Sequence, residues 1–358
     1  MSGNGTTGGK ISPTYDGILW PKPAFLDLID SLRADYRIAG PMGEGLRTAF
    51  REIAAARDLN LTSRRTMIPP GKAFLYQPRE QLFRFGRGER ITAEEIEAAA
   101  EPTILVGVNA CDIHAIHYLD RTLLSDPYYR ARREQTLIFG LNCTMPSPFC
   151  FCSSVGTGPQ MEKAEGYDCL LTDLGTRFLI EPLTEKTARI FGGGEPASAA
   201  DWQEKAAQAR AVTAEIGKSL DTRDLDQLLL ANVNHRVWAR TADDRCLSCT
   251  NCVMVCPTCF CYDVRDTIDM GLEQVTRHRQ WDACQDMGFA AIHGGNFRRA
   301  RSARLRQFVL HKLSYTAQYG VMGTVGCGRC IEWCPTGIDL TELAKEIQRS
   351  SGIFKSSS

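Results

Sequence analysis

Seven cysteines in two short runs constrain this chain more than any other feature of its 358 residues. Cys246-x2-Cys249-x2-Cys252-x3-Cys256-Pro257 is answered well downstream by Cys327-x2-Cys330-x3-Cys334-Pro335. A C-x2-C-x2-C-x3-C-P run wraps one loop around three corners of an iron–sulfide cubane and sends its fourth thiolate to a second cluster. Zinc also accepts C-x2-C pairs, but usually as two separated pairs; here three thiols share one run and each final Cys precedes Pro. The pattern points to iron, sulfide and the movement of electrons.

Crossed ligation gives the first 4Fe-4S cluster Cys246, Cys249, Cys252 and Cys334. The second should take Cys256, Cys327, Cys330 and a Cys three residues before Cys327, but that position is Thr324. Three readings compete: a thiol from elsewhere (Cys284, Cys259 or Cys261) fills the corner; the site keeps three Cys ligands and holds a 3Fe-4S cluster; or the second cluster is absent. Cys259 and Cys261 stand close enough to Cys256 to shield a cluster or to ligate one, against the plainer reading of inert buried thiols.

A third group of thiols lies in the first half. Cys111 follows the apolar run Thr103 to Val108, and Cys143, Cys150 and Cys152 follow the run Thr136 to Leu141. If both runs are buried, adjacent parallel strands, the loops after them meet at one sheet edge, where ligand sites form. A third cluster is carried on that argument beside the alternative of scattered core cysteines. Cys169 falls inside a predicted strand and reads as core.

The chain is long enough for two domains, and an α+β fold is expected: an N-terminal α/β-type domain over residues 1–220, then a helical ferredoxin-like dicluster domain over 221–358. Helices are predicted over Pro23 to Tyr36, Ala93 to Ala100, Ala199 to Leu220, Asp224 to Ala231 and Leu340 to Arg349. Leu170 to Thr172 and Arg177 to Ile180 read as a hairpin. The insert between the two Cys runs is expected to be helical.

Charge and composition exclude several function classes. Lys plus Arg equals Asp plus Glu at 42 each, so no general attraction to nucleic acid or an anionic membrane is expected. No apolar stretch is long enough to span a bilayer, and the start MSGNGTTGGK lacks an export-signal pattern. A cytoplasmic location is therefore expected, with thiols serving metal rather than disulfides. Gly43-Glu-Gly45 and Gly192 to Gly194 complete no nucleotide-binding fingerprint. Arg298, Arg299, Arg301, Arg304 and Arg306 read as a solvated helix face or a dock for an acidic partner, and His114 and His117 as packing residues or donors to a cluster sulfur.

Several longer motifs then carry a resemblance. Arg64-Arg-Thr-Met-Ile-Pro-Pro70, Asp126-Pro-Tyr-Tyr-Arg-Ala-Arg132, Gly140-Leu-Asn-Cys143, Cys150 to Pro159, Cys246 to Cys261, Trp281-Asp-Ala-Cys284, Gly295-Asn-Phe-Arg298 and Gly326-Cys-Gly-Arg-Cys330 occur in that order. Over Arg64 to Asp339 the chain resembles the iron–sulfur β subunit of cytosolic sulfhydrogenases and the A subunit of anaerobic sulfite reductase. The resemblance implies a relay between a flavin- and NAD(P)-binding subunit and a catalytic subunit of hydrogenase or sulfite reductase type. It supports Cys246, Cys249, Cys252, Cys256, Cys327, Cys330 and Cys334 as ligands and implies Cys where this chain has Thr324. Two alternatives stand beside it: an enzyme using an incompletely ligated cluster as its substrate site, and a zinc-stabilised interaction module.

Overall fold

The computed structural model describes residues 16–61, 65–87, 91–163 and 165–351. The Gly/Thr-rich N-terminal tail and Arg64, the first residue of one family-like motif, lie outside them. The fold is mixed α/β, with two principal sheets and a set of helices. The strands of these two sheets are β1 (Ile18–Pro21), β2 (Arg37–Met42), β3 (Ala49–Glu52), β4 (Arg79–Arg87), β5 (Ile91–Glu95), β6 (Thr103–Asn109), β7 (Thr136–Leu141), β8 (Cys169–Asp173), β9 (Arg177–Pro182), β10 (Glu195–Pro196), β11 (Tyr262–Ile268) and β12 (Gln274–Trp281).

The larger sheet runs β10-β1-β9-β8-β7-β6-β2-β3. Its centre, β2, β6, β7 and β8, is parallel. Apolar continuity explains this: Thr103 to Val108 is buried throughout, as a strand covered on both faces must be. Near the end of β6 the register with β7 shifts at Gly107, which has φ +79° and leaves no room for a side chain beside Leu61. That bulge aims the strand end, and the helix Ala110–Leu123 that follows, toward the loop after β7. β8 and β9 form the expected hairpin, and Cys169 is fully buried in β8.

The smaller sheet, β11-β12-β4-β5, corrects two expectations. Ala93 to Ala100 forms no helix: Ile91–Glu95 pairs with β4 instead, because its cross-strand partners override its helix-forming composition. The insert between the Cys runs opens as a hairpin, β11 and β12, and becomes helical only at Arg301–Leu313. Since β12 pairs with β4, this sheet joins strands from both sides of residue 220. A buried ionic knot pins the join: Glu80 takes Arg132 and Arg279, and Arg279 also reaches Asp126.

The longer helices beyond residue 220, Leu225–Ala231, Val237–Asp244, Arg301–Leu313 and Leu340–Ser350, pack around Trp238, Phe308, Leu313 and Ile347. That core also contains Cys246, Cys256, Cys259 and Cys284. Among the described residues no helix is long and apolar enough to cross a membrane.

Candidate metal centres

The two Cys runs share one local geometry. In the first, Ser248 and Thr250 take positive φ values of 52° and 68°; in the second, Gly326 and Gly328 take 60° and 71°. Each run then enters a one-turn helix, Asn251–Met254 or Arg329–Glu332. The left-handed residues turn the chain between successive thiols so that they face one side. In this alignment Cys246 corresponds to Thr324, whose hydroxyl accepts from Gly326 N at 3.2 Å and so serves the turn.

Around these turns fourteen of the fifteen cysteines gather into three neighbouring groups of five, four and five, Cys169 alone remaining in the core. Cys246, Cys249, Cys252, Cys330 and Cys334 wall one cleft with apolar side chains such as Phe308 and Leu340. Cys249 is exposed there. Cys334 Sγ accepts from Ile338 N at 3.2 Å, a donor of the kind that tunes cluster sulfurs. Arg301 holds the loop by donating to Cys246 O at 3.1 Å, and Arg304 by donating to Ser248 Oγ at 3.2 Å. With Arg306 bonded to Val233 O, three of the five clustered arginines brace the fold through hydrogen bonds, Arg304 buried, Arg306 half-buried and Arg301 still exposed.

Cys256, Cys259, Cys261 and Cys284 form the second group, buried except for half-buried Cys261 and joined as two hydrogen-bonded pairs, Cys256 with Cys259 and Cys261 with Cys284. Burial raises Cys256, but hydrogen bonds from Cys259 and Thr258 and the charge of Lys312 outweigh it and hold that thiol well below its usual range. A hydrogen bond from Cys284 lowers Cys261 to about 7 and correspondingly raises Cys284. Burial works against the ammonium of Lys72 and leaves it lowered, with Cys259 and Cys256 opposing the shift. At Lys312 burial pulls the same way, but Cys256 and Cys259 more than offset it. The charge of Cys330 feels Cys256, Cys327 and Cys252, which places it between the first and second groups and toward the third.

The loops after β6 and β7 do converge. Cys111, Cys143, Cys150 and Cys152 line one cavity, and Cys327 joins them. This differs from the crossed scheme, which sends Cys327 to the second cluster. The cause is a close backbone approach: a Cβ on Gly326 would lie 2.6 Å from Cys152 Cα, and one on Gly328 2.3 Å from Phe149 O. Phe151 N donates to Gly326 O at 2.8 Å and Thr157 Oγ1 to Val325 O at 2.7 Å across that contact. Arg329 donates twice to Asp112, at 2.7 Å each, and Arg65 to Glu332 at 2.7 Å, so the cations beside this cavity already have carboxylate partners. Burial pushes the thiols up, Cys143 to about 11 and Cys152 to about 12, so both are protonated at neutral pH without metal and would release a proton on binding it. His117 instead faces Glu165, at 3.8 Å.

The donor sets suit clusters. Among the described residues no three His, Cys, Asp or Glu side chains stand close enough to hold a single metal ion. Five thiols ringing one apolar cleft are more donors than one tetrahedral ion takes and suit a core with iron at several corners. Sequence reasoning did not find Lys72, Lys312, Arg65, Arg329 or Asp112. Only Arg65 and Arg329 had a signal, as members of family-like motifs.

Residues 245–338 match the 4Fe-4S dicluster domain family. The chain is 32% identical over 346 residues to "Sulfhydrogenase 2 subunit beta" of Pyrococcus furiosus, an alignment covering 90% of this chain and 96% of that protein. No solved structure matches.

Proposed function

The chain belongs to the sulfhydrogenase β-subunit family, and we propose that, as an iron–sulfur electron-transfer subunit, it relays electrons between a flavin- and NAD(P)-binding partner and a catalytic subunit of hydrogenase or sulfite reductase type. The observation carrying this reading is the three neighbouring groups of thiols. A first 4Fe-4S cluster rests on Cys246, Cys249, Cys252 and Cys334. A second is built on Cys256, Cys259, Cys261 and Cys284 with Cys330 beside them, thiols that replace the corner Thr324 does not supply. A third uses Cys111, Cys143, Cys150 and Cys152 with Cys327. Exposed Cys249 marks the end of the chain of stations where a partner approaches. The carboxylates of Asp112 and Glu332 beside the thiol cavity are held in ion pairs with Arg329 and Arg65, an arrangement that favours conduction over substrate chemistry.

The test is anaerobic purification of the native complex with iron, acid-labile sulfide and zinc analysis, followed by turnover assays with and without partners. About eight iron atoms per chain correspond to two cubanes and about twelve to three. Stoichiometric zinc without sulfide overturns the reading, as does sustained substrate reduction with NAD(P)H by the isolated, flavin-free chain.

A further inference from the structure

Lys72 and Lys312 are the least expected residues beside any of the thiols. Each is only 2% exposed. Lys72 stands on a single π-helical turn, Gly71–Leu75, and Lys312 near the end of the helix Arg301–Leu313, so two unrelated elements deliver ammonium groups to one place. Lys72 Nζ donates to Val253 O and Met254 O, both at 3.2 Å, and lies 4.3 Å from the centre of the Trp281 ring. Lys312 Nζ donates to Thr258 Oγ1 at 2.8 Å and also hydrogen-bonds Cys259. Carbonyls, a hydroxyl and a ring satisfy the donors but supply no net negative charge.

Among the described residues neither lysine has a carboxylate partner, and the acidic groups within reach are thiols, Cys259, Cys256 and Cys261 for Lys72 and Cys256 and Cys259 for Lys312, together with the Tyr118 phenol near Lys312, which burial pushes up and so keeps neutral. A buried, uncompensated cation is strongly unfavourable, and two near each other more so. The plain alternative is a pair of structural lysines kept by packing alone. It leaves two like charges converging on one group of thiols without an anion, whereas thiolate-bound iron and sulfide carry net negative charge at that spot. At the third group, by contrast, Arg65 and Arg329 are already matched by Glu332 and Asp112.

We propose that Lys72 and Lys312 are the counter-charges of the cluster at Cys256, and that they make it the highest-potential station of this chain. The inference rests on the ligand reading proposed above for that group. Reduction there is addition of one electron, from dithionite in a titration or from a partner's cofactor in the complex. One ferric equivalent becomes ferrous, no bond forms or breaks, and the ammonium protons stay on Nζ. The added negative charge is what the two cations favour.

The experiment is an EPR-monitored dithionite titration of the full chain in its native complex, comparing the parent with Lys72→Gln, Lys312→Gln, Lys72→Arg and Lys312→Arg, with iron and sulfide measured on each sample. In either Gln variant the reduced-to-oxidised ratio of one cluster, read at the potential that half-reduces it in the parent, should fall about tenfold or more, a shift in the sense expected for lost positive charge. The other clusters should hold, and the Arg variants should stay near the parent. Loss of that one signal in both Gln variants, with retention in both Arg variants, equally supports the proposal. Unchanged ratios at full iron content, or an equal fall at every cluster, overturn it. Cys256→Ser with Cys284→Ser separates the two ideas: if iron and sulfide stay at parent level, the ligand reading has failed and the counter-charge proposal with it.

Discussion

The thiol group around Cys249 and the one around Cys256 adjoin one another, yet they solve the problem of holding negative charge in opposite ways. The first opens to solvent, and its arginines, Arg245, Arg301 and Arg304, spend their donors on carbonyls and a hydroxyl of the ligand loops. Water and dissolved ions can screen a charge there. The second lies almost wholly buried, and its screening would come from the protein itself, as Lys72 and Lys312. On the counter-charge proposal, what replaces water around a station, and not ligand type alone, sets its role.

The most severe way to break this comparison is to remove the closed group's ligands. Cys256→Ser combined with Cys284→Ser should cost about four iron atoms per chain while the signal of the open group persists. Iron analysis with EPR checks it; loss of both signals together would show that the groups are not separate sites.

Asp112→Asn comes next. It leaves the guanidinium of Arg329, which is fully buried, without its carboxylate, and should destabilise the protein by about 3–5 kcal/mol in denaturant unfolding. The clusters of the open and closed groups should keep their spectra in the folded protein, since Asp112 touches neither.

Gly326→Ala probes how Cys327 is kept with Cys111. At φ +60° and 2.6 Å from the backbone of Cys152 an alanine cannot fit without moving one loop, at a cost of about 1–3 kcal/mol. The iron of the third group should become labile to chelators first. Equal chelation rates in parent and variant would remove the glycine from the account of that site.

The smallest effect is expected at Thr324, the position that the crossed scheme would make the most important. Thr324→Cys should leave iron content and cluster type unchanged, because thiols already surround Cys256 and the Thr324 hydroxyl is engaged with Gly326 N. A new or sharpened cubane signal in this variant would restore crossed ligation and undo the closed group as drawn here.

Much of this was legible in the residues. The spacing of the Cys runs named the chemistry, the apolar runs of β6 and β7 gave adjacent parallel strands, and placing Cys111 and Cys143 at their ends anticipated the cavity they share. Other features were hidden for identifiable reasons. Ala93-Glu-Glu-Ile-Glu-Ala-Ala-Ala100 is rich in helix formers, and nothing local announces that β4 will claim its first residues. Tyr262 to Ile268 and Gln274 to Trp281 pair across the turn residues Asp269 to Glu273, but both strands are largely polar and carry little of the apolar alternation that marks a strand. Lys72 and Lys312 lie in ordinary amphipathic contexts. Only the tertiary fold brings them together, so no spacing rule could have paired them. The destination of Cys327 depended on a backbone contact with Cys152 that glycines permit but do not specify.

The shared sheet has a consequence for biosynthesis. Glu80 on β4 and Arg279 on β12 are 199 residues apart in the chain, so β4 leaves the ribosome long before its neighbour exists. Until then one edge of β4 presents unpaired N–H and C=O groups, a template for pairing with the wrong chain. The thiols after β6 and β7 meanwhile wait for the segment that carries Cys327. Maturation of this protein is therefore a late event: translation must pass β12 before the sheet closes and reach the last Cys run before the N-terminal thiols acquire their fifth member, and a chain stopped near residue 220 should aggregate rather than fold as a shorter carrier.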